Sequence, residues 1–230
     1  MKKIIVLFFI LPFTLFNLQA CSFFGFQDDP DSMYKTAAQL VEEGSLAYED
    51  KDYKDALKAF TQLKEWYPFS RYAILAELRI ADSNYELKNY DEALDAYQEF
   101  EELHPKNEAI VRIIYRQGLC WYKQMDTIDR DNRPAAKAIV QFRRLKERFP
   151  DSIYIAKVDK MMKECTDNLA GHELYVADFY FKSGQYKASL NRYMYLVEHF
   201  PTSEYAAKAL NKIGKAREKV DRIEKKSSKL

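Results

Sequence analysis

Glycine and proline are scarce in this chain, with 6 and 7 copies among 230 residues. Because both residues interrupt helices and mark turns, their scarcity favours long helices joined by short connections. Net charge is nearly absent as well, since 36 lysines and arginines face 35 acidic residues. Nucleic-acid binding depends on an excess of positive charge, so DNA and RNA are not expected partners. The 47% of apolar residues argues against a disordered chain.

The one long apolar run lies at the N-terminus. Two lysines precede the run IIVLFFILPFTLF (4–16), and LQAC (18–21) follows it. This order of charged, apolar and small residues is typical of a secretory signal. A membrane-spanning helix is the alternative, but the run contains Pro12 and is shorter than the roughly 20 residues needed to cross a bilayer. We therefore interpret residues 1–20 as a signal peptide that is removed.

The end of this signal carries a more specific motif. LQAC resembles the lipobox of bacterial lipoproteins, in which the cysteine becomes the acylated first residue. We expect Cys21 to carry the lipid anchor, because several acyl chains hold a protein on a membrane where one chain does not. Ser22 rather than aspartate follows it. By resemblance to the sorting rule of enteric bacteria, this residue favours the outer membrane. Residues 21–31 are interpreted as a lipidated tether, and helical periodicity begins near Ser32 and Met33.

Cys120 and Cys165 are the other two cysteines of the chain. In an oxidising periplasm such an even pair is able to form a disulfide. Each lies in an apolar helical stretch, however, and free cysteine behaves as a small buried hydrophobic residue. Two separate buried thiols are the preferred interpretation, and the disulfide stays open as the alternative.

An internal repeat becomes visible when the chain is aligned on four of its prolines. Twelve residues before each proline stands a small residue, and eight residues before it stands an aromatic ring. A second small residue, here called the small marker, recurs at a fixed place in the preceding segment. The prolines are Pro68, Pro105, Pro150 and Pro201; the rings are Phe60, Tyr97, Phe142 and Tyr193; the small markers are Gly44, Ala81, Gly118, Ala177 and Gly214. Agreement at several sites indicates a repeated structural unit.

The pattern predicts pairs of antiparallel helices in close contact. Small residues remove bulk where two backbones approach, and the ring fills the adjacent gap. Each proline ends a second helix, and the polar residue two positions later is expected to cap the next first helix. These residues are Ser70, Asn107, Ser152 and Ser203. The related segments YPFSRY (67–72), FPDSIY (149–154) and FPTSEY (200–205) are therefore joints rather than catalytic sites.

This helix pair resembles the tetratricopeptide repeat, most clearly over residues 44–68 and 76–105. Two of the intervals between the repeat prolines are long. A polar loop within 123–135 accounts for the interval from Pro105 to Pro150, and a lengthened helix containing Gly171 accounts for the interval from Pro150 to Pro201. The predicted fold is all-α: a right-handed α-solenoid of about five helix pairs, counted as five first helices and four second helices. It covers residues 32–220, and a charged tail occupies 221–230.

In such a stack the first helices line a concave groove. Four residues after four of the small markers lies an aromatic ring, at Tyr48, Tyr85, Tyr122 and Phe181. Tyrosine combines apolar area with a hydrogen-bonding tip, so these rings fit an extended or partly folded peptide. Leu75 and Leu78 are expected in the same trough, as are Arg112 and Tyr115. The alternative is that the rings pack between neighbouring units and contact no ligand.

Catalytic and metal-binding chemistry has little support in the sequence. His104, His172 and His199 are isolated, and two of them precede repeat prolines. The acidic cluster within residues 126–131 lacks the glycine and the final glutamate of a calcium loop. No phosphate-binding loop or nucleophile motif appears. We expect a protein that is not an enzyme and has no cofactor and no metal site.

Several features together resemble the BamD family, the lipoprotein subunits of the outer-membrane β-barrel assembly machine. They are the lipoprotein signal, YPFSRY at the end of the first unit, RQGLCWY (116–122), the sequence DRD (129–131) and the pair Asn191-Arg192, within residues 21–220. The resemblance implies a periplasm-facing scaffold, lipid-anchored in the outer membrane. It implies as partners unfolded barrel precursors, the barrel-forming subunit and accessory lipoproteins.

On the family model, the groove residues would contact the precursor: Tyr48, Leu75, Leu78, Tyr85 and Tyr122. Arg192 would contact an acidic residue of the barrel-forming subunit, and a surface arginine facing water is the alternative. A tetratricopeptide lipoprotein that serves type IV pilus secretin assembly or envelope constriction is the alternative function.

Overall fold

The computed structural model describes residues 34–227, and every element of regular structure in that range is a helix. The helices are α1 (Ala37–Glu49), α2 (Tyr53–Trp66), α3 (Ala73–Glu86), α4 (Tyr90–Leu103), α5 (Ile110–Lys123), α6 (Arg133–Arg148), α7 (Ile155–Lys182), α8 (Tyr186–His199) and α9 (Glu204–Ser227). Odd numbers are first helices and even numbers are second helices, which confirms the predicted order. The predicted signal peptide, Cys21, the tether and residues 228–230 lie outside the described residues.

Each helix packs against the next one in the chain, and α7 also contacts α9. The buried residues accordingly form three successive clusters rather than one central core: one around α1 to α3, one from α3 to α7, and one from α7 to α9. This serial arrangement is that of a helical solenoid. Among residues 34–227, no helix is both long enough and apolar enough to cross a membrane.

The small markers lie at helix crossings in the first four units. A Cβ atom added to Gly118 would lie 2.5 Å from Cδ1 of Phe142, and one added to Gly44 would lie 2.9 Å from Cζ of Phe60. Ala81 and Ala177 hold the equivalent places and are fully buried. Close backbone approach therefore depends on a small side chain facing a ring, as the repeat pattern predicts.

The prediction of a fifth equivalent crossing at Gly214 was wrong. This residue is exposed, and a Cβ atom added there would have no neighbour within 4 Å. The reason is that α9 is a first helix with no second helix described after it, so nothing covers the side on which its small marker lies.

Three of the four polar residues of the joints bind the amide just ahead of the next helix rather than an amide of its first turn. Ser70 accepts from the amide of Tyr72 at 3.3 Å, and Asn107 accepts from the amide of Ala109 at 2.9 Å. Ser152 likewise accepts from the amide of Tyr154 at 3.3 Å. A short side chain that bonds the second amide after it stabilises a turn, so these three residues shape the joint ahead of the helix. Ser203 caps its helix as predicted, because it immediately precedes Glu204, the first residue of α9, and accepts from the amide of Tyr205 at 3.2 Å.

Two predicted boundaries moved, and the predicted lengthened helix was confirmed. Helix α1 begins at Ala37 rather than near Ser32, because Thr36 and Gln39 form a capping box. Helix α9 continues to Ser227 and so includes most of the predicted charged tail. Helix α7 is 28 residues long, as the lengthened repeat requires, and Gly171 does not interrupt it.

Gly171 is instead the contact point of the inserted loop, residues 124–132. A Cβ atom at this position would lie 2.7 Å from Cγ2 of Ile128. Two hydrogen bonds fix the loop on either side: the Asn168 amide donates to the carbonyl of Asp126 at 2.8 Å, and His172 Nδ1 bonds the carbonyl of Ile128 at 2.8 Å. The loop is therefore held against α7 rather than left in solvent.

Cys120 and Cys165 are both free and fully buried. Burial raises the pKa of each thiol to about 12. The structure thus agrees with the preferred interpretation of two separate buried thiols, and the disulfide alternative was wrong.

Candidate functional site

Tyr48 and Tyr85 occupy equivalent places at the C-terminal ends of α1 and α3. Each ring packs edge to face on the first tyrosine of the following helix: Tyr48 on Tyr53 with centroids 5.3 Å apart, and Tyr85 on Tyr90 with centroids 5.7 Å apart. Edge-to-face pairs of this kind stabilise ring orientation beyond simple burial. The rings of Tyr48 and Tyr85 therefore have the same orientation relative to the following helix in the two successive units.

The turns after these rings share one backbone conformation. The third residue after Tyr48 and after Tyr85 has a positive φ, 64° at Lys51 and 65° at Lys88. The same holds after Phe181, the equivalent ring of α7, where φ is 77° at Gly184. A left-handed residue after a helix end satisfies the last carbonyl groups and redirects the chain. Glycine adopts this conformation without strain, while the two lysines accept some strain to keep the turn.

An arginine from the next unit covers each ring. The guanidinium of Arg79 lies 4.7 Å from the centroid of Tyr48, and that of Arg116 lies 4.2 Å from the centroid of Tyr85. We call each tyrosine with its covering arginine a rung. The rings are half-buried in this arrangement, so they pack between units and still keep part of their surface accessible.

The phenol groups of the rungs stay protonated at neutral pH. Burial raises the pKa of Tyr48 and of Tyr85 above the ordinary tyrosine value. Each hydroxyl is consequently available as a hydrogen-bond donor, for example to the backbone carbonyl groups of an extended chain.

The charges beside the rungs are paired. Asp82 is buried and accepts from the Tyr97 hydroxyl at 2.7 Å and from Arg112 Nη1 at 2.8 and 3.0 Å. Arg116 also pairs with Glu86 at 3.2 Å. A buried carboxylate is tolerated when hydrogen bonds and an opposite charge compensate it. The surface beside the rungs on α3 and α5 thus combines aromatic rings with charged side chains that are paired with one another.

Two further predicted groove residues lie on the face of Tyr85. Leu78 precedes Tyr85 by two helical turns, and Leu75 precedes Leu78 by three residues, so the three share one side of α3. Both leucines are partly buried, and Leu78 packs on the α3 to α7 core cluster. Leu75, Leu78 and Tyr85 therefore lie along one side of α3, and Tyr48 lies on the neighbouring first helix.

The third predicted ring differs from the first two. The hydroxyl of Tyr122 donates to Glu164 of α7; this hydrogen bond, with burial second, raises the pKa of Tyr122 to about 12. The tip of this ring is already occupied. The inserted loop follows Tyr122, and α6 begins at Arg133 without a tyrosine partner. The two matched rungs therefore belong to the N-terminal half of the described chain.

Arg192 lies on the surface of α8 and is engaged by a neighbour. Its Nη1 atom lies 2.9 Å from Oε2 of Glu173 on α7, and its side chain is 45% exposed. Met194 and Tyr195 are exposed beside it in sequence. An arginine offers five donor hydrogens, so this pair leaves donors available to a second carboxylate. The predicted docking residue is both ion-paired and accessible.

The covering arginines were missed in the sequence. The signal is nevertheless present in the aligned repeats. Two residues before the small marker stands a basic residue in three units: Arg79, Arg116 and Lys212. Lys212 binds Asp178 at 2.6 Å, near Phe181 at the C-terminal end of the stack. The repeat therefore places a cation at the same position in three units.

The histidines have structural contacts. His104 Nε2 lies 2.7 Å from Glu77, and His199 Nδ1 lies 3.0 Å from the carbonyl of Tyr195. Across the part of the chain that the structure describes, no group of three histidine, cysteine or acidic side chains is arranged to hold a metal ion.

Comparison with known proteins gives a consistent set of relatives. A family model described as YfiO, outer membrane lipoprotein, matches residues 33–229. The outer membrane protein assembly factor BamD of Vibrio cholerae is 28% identical over 209 residues, which cover 86% of this chain and 87% of that protein. The BamD proteins of Neisseria gonorrhoeae and Pasteurella multocida are 28% and 25% identical, over 89% and 93% of this chain and 81% and 84% of theirs.

Proposed function

The chain belongs to the YfiO family of outer membrane lipoproteins, and from this premise we propose that it is a periplasm-facing scaffold whose groove receives unfolded β-barrel precursors. Its BamD relatives are outer membrane protein assembly factors, and its role lies in that process. These relatives favour barrel assembly over pilus secretin assembly or envelope constriction.

The observation that carries the groove proposal is the pair of matched rungs. Tyr48 with Arg79 and Tyr85 with Arg116 repeat one geometry in successive units. An unfolded barrel segment offers alternating apolar side chains and unpaired backbone carbonyl groups. Half-exposed rings bind the former and protonated phenols donate to the latter. The repetition allows one extended chain to contact both rungs.

A binding assay tests the groove directly. The purified chain is titrated into a labelled, urea-denatured barrel precursor, and the dissociation constant is measured after dilution. Replacing Tyr48 and Tyr85 together by alanine should weaken binding by roughly tenfold or more, since each buried ring at an interface contributes about 1 kcal/mol or more. Tyr195→Ala is the matched control, because that tyrosine is 41% exposed on a second helix. Equal affinity for all variants would refute the groove assignment.

We assign docking on the barrel-forming subunit to the surface of α8 around Arg192. The supporting features are an accessible guanidinium held in place by Glu173 and the exposed ring of Tyr195, which lies beside Arg192 one turn along α8. Aromatic residues and arginine are enriched at protein interfaces. An acidic residue of the partner would share the guanidinium with Glu173.

Arg192→Glu should reduce co-purification of the barrel-forming subunit. Arg222→Glu makes the same charge change on α9, where Arg222 is 67% exposed and pairs with Glu218 of the same helix, and it should leave co-purification intact. Glu173→Gln should also retain docking, because it frees the guanidinium without removing it. Loss of the partner with both arginine variants would indicate a general charge effect and contradict the assignment.

The lipid anchor at Cys21 completes the proposal. An acylated Cys21 would hold the solenoid at the outer membrane, facing the periplasm, beside the barrel-forming subunit and accessory lipoproteins. Mass spectrometry of the mature N-terminus should find diacylglycerol on Cys21. An unmodified cysteine within an intact leader would overturn this part.

A further inference from the structure

An exposed aromatic cluster lies where the chain enters α1. It consists of Tyr34, Trp66 and Phe69, and we call it the entry cluster. The rings of Tyr34 and Trp66 meet edge to face with centroids 5.8 Å apart, and Phe69 lies in the turn that follows Trp66. These residues are 62%, 44% and 100% exposed. Three adjacent aromatic residues with so much accessible surface indicate an interaction site.

The fold does not require an aromatic residue in this turn. The residue after the repeat proline is Phe69 in the first joint, but Lys106, Asp151 and Thr202 in the others. The backbone hydrogen bond that closes the turn is 3.0 Å long in both of the first two joints, Ser70 to the carbonyl of Tyr67 and Asn107 to that of His104. Because the turn forms equally well with polar residues, turn formation does not account for the exposed ring of Phe69.

The course of the chain indicates what the entry cluster contacts. The chain enters the described structure at Tyr34, against Trp66, and the Tyr67 hydroxyl holds the carbonyl of Lys35 at 2.8 Å. Cys21 precedes Tyr34 by thirteen residues, which reach at most about 45 Å when fully extended. A lipid at Cys21 therefore confines the entry cluster to the neighbourhood of the bilayer, where even weak insertion is favoured by the high effective concentration.

The chemistry of the cluster fits the membrane surface. Tryptophan and tyrosine are enriched at the boundary between headgroups and acyl chains, because their rings are apolar at one end and polar at the other. Two exposed cations flank the cluster in sequence. Lys35 pairs with Glu43 at 2.5 Å, whereas the guanidinium of Arg71 lies 4.6 Å from the ring centroid of Tyr72 and suits an anionic headgroup. We propose that the entry cluster inserts into the interface of the membrane that carries the anchor. The inference rests on the proposed function in one respect, the lipid at Cys21.

Tryptophan fluorescence tests this insertion in the intact protein. The chain has two tryptophans, so Trp121→Phe leaves Trp66 as the reporter, and Trp66→Phe leaves Trp121. The full lipidated chain is reconstituted in vesicles of phosphatidylethanolamine and phosphatidylglycerol that contain lipids brominated near the headgroup. We expect the emission of Trp66 to be quenched and that of Trp121 to be unchanged.

Two substitutions locate the contact. Phe69→Ser should lower the quenching of Trp66 while the helical circular dichroism stays constant. Ile153→Ser is the matched control, because Ile153 is 86% exposed at the third joint and lies far along the chain from the anchor. Quenching that depends equally on Ile153 and Phe69 would contradict an insertion confined to the entry cluster.

The remaining outcomes separate this inference from the proposed function. Flotation with the vesicles reports the anchor, and it should be lost in Cys21→Ser. If the chain floats but Trp66 is quenched no more than Trp121, the entry cluster does not insert and the inference fails alone. Shielding of Trp66 only after addition of the barrel-forming subunit, or only at high chain concentration, would assign the cluster to a protein partner or a second copy and overturn it. If the wild-type chain does not float, the anchor in the proposed function fails.

Discussion

Substitution of Gly118 by alanine should destabilise the solenoid, although alanine is the better helix former. Gly118 lies in the interior of α5, where a glycine costs about 1 kcal/mol relative to alanine. A new Cβ atom would lie 2.5 Å from Cδ1 of Phe142, closer than carbon atoms approach. The ring of Phe142 is fully buried, so α5 and α6 would have to separate.

The expected magnitude follows from these two opposing terms. Inserting a methyl group into a closely packed core costs typically 1–3 kcal/mol, and the short distance here places the cost near the upper end. After about 1 kcal/mol of helix propensity is subtracted, the net loss is about 1 to 2 kcal/mol. Gly214→Ala makes the same change at the same repeat position without any neighbour within 4 Å. It should gain about 0.5–1 kcal/mol.

Urea unfolding followed by circular dichroism measures both changes. The midpoint should fall for Gly118→Ala and rise for Gly214→Ala, with an unchanged slope for each. A second variant checks the cause: Phe142→Leu in the Gly118→Ala background should recover part of the loss, because it removes the ring that clashes. A Gly118→Ala chain as stable as the wild type would refute the close crossing of α5 and α6.

Three further predictions concern the polar and titratable groups. Asp82→Ala should lower the free energy of unfolding by about 2 to 3 kcal/mol, because it leaves the Tyr97 hydroxyl and the half-buried Arg112 without their acceptor; a urea midpoint close to that of the wild type would contradict this. The hydrogen bond of Tyr122 raises its pKa from 10.0 to about 12 in the folded state. Its contribution to the free energy of unfolding should therefore be fully present below pH about 10 and be lost as the pH rises towards about 12. Tyr122→Phe should therefore make this alkaline decline shallower by up to about 1.4 kcal/mol per pH unit, as measured by urea midpoints across that range, and an equally steep decline would count against the raised pKa. Cys120 and Cys165 should not react with a thiol reagent in the folded protein, and both should react in guanidinium chloride; failure of either to react after unfolding would indicate a disulfide.

The helix order was accessible from the sequence because its signals are local and repeated. Small residue, ring and proline recur at fixed offsets, and each offset corresponds to a contact between adjacent helices. The lengthened α7 followed from the spacing of Pro150 and Ala177 alone. The prediction of a helix crossing at Gly214 was wrong because the pattern describes only one side of a contact. The other side comes from a second helix, and none is described after α9.

Contacts that join distant segments were less accessible. The inserted loop binds α7 through Ile128 at Gly171, a pairing that no periodic pattern encodes. The Tyr97 hydroxyl bonds Asp82, and the Tyr193 hydroxyl bonds Asp178, so in both units an alanine marker is followed by aspartate and paired with a tyrosine ring. That association is visible in the aligned repeats. The fold shows what the association means: the tyrosine hydroxyl forms a hydrogen bond with the aspartate, which is buried for Asp82 and partly buried for Asp178.

Crosslinking in living cells gives the most direct test of the groove. A photoreactive phenylalanine analogue is placed singly at Tyr48, at Tyr85 and at Val140, which is 59% exposed on the second helix α6. We expect nascent outer-membrane barrel chains to be captured at Tyr48 and Tyr85 and not at Val140. Capture at Val140 with none at the two tyrosines would place precursor binding on the second helices and contradict the proposed groove.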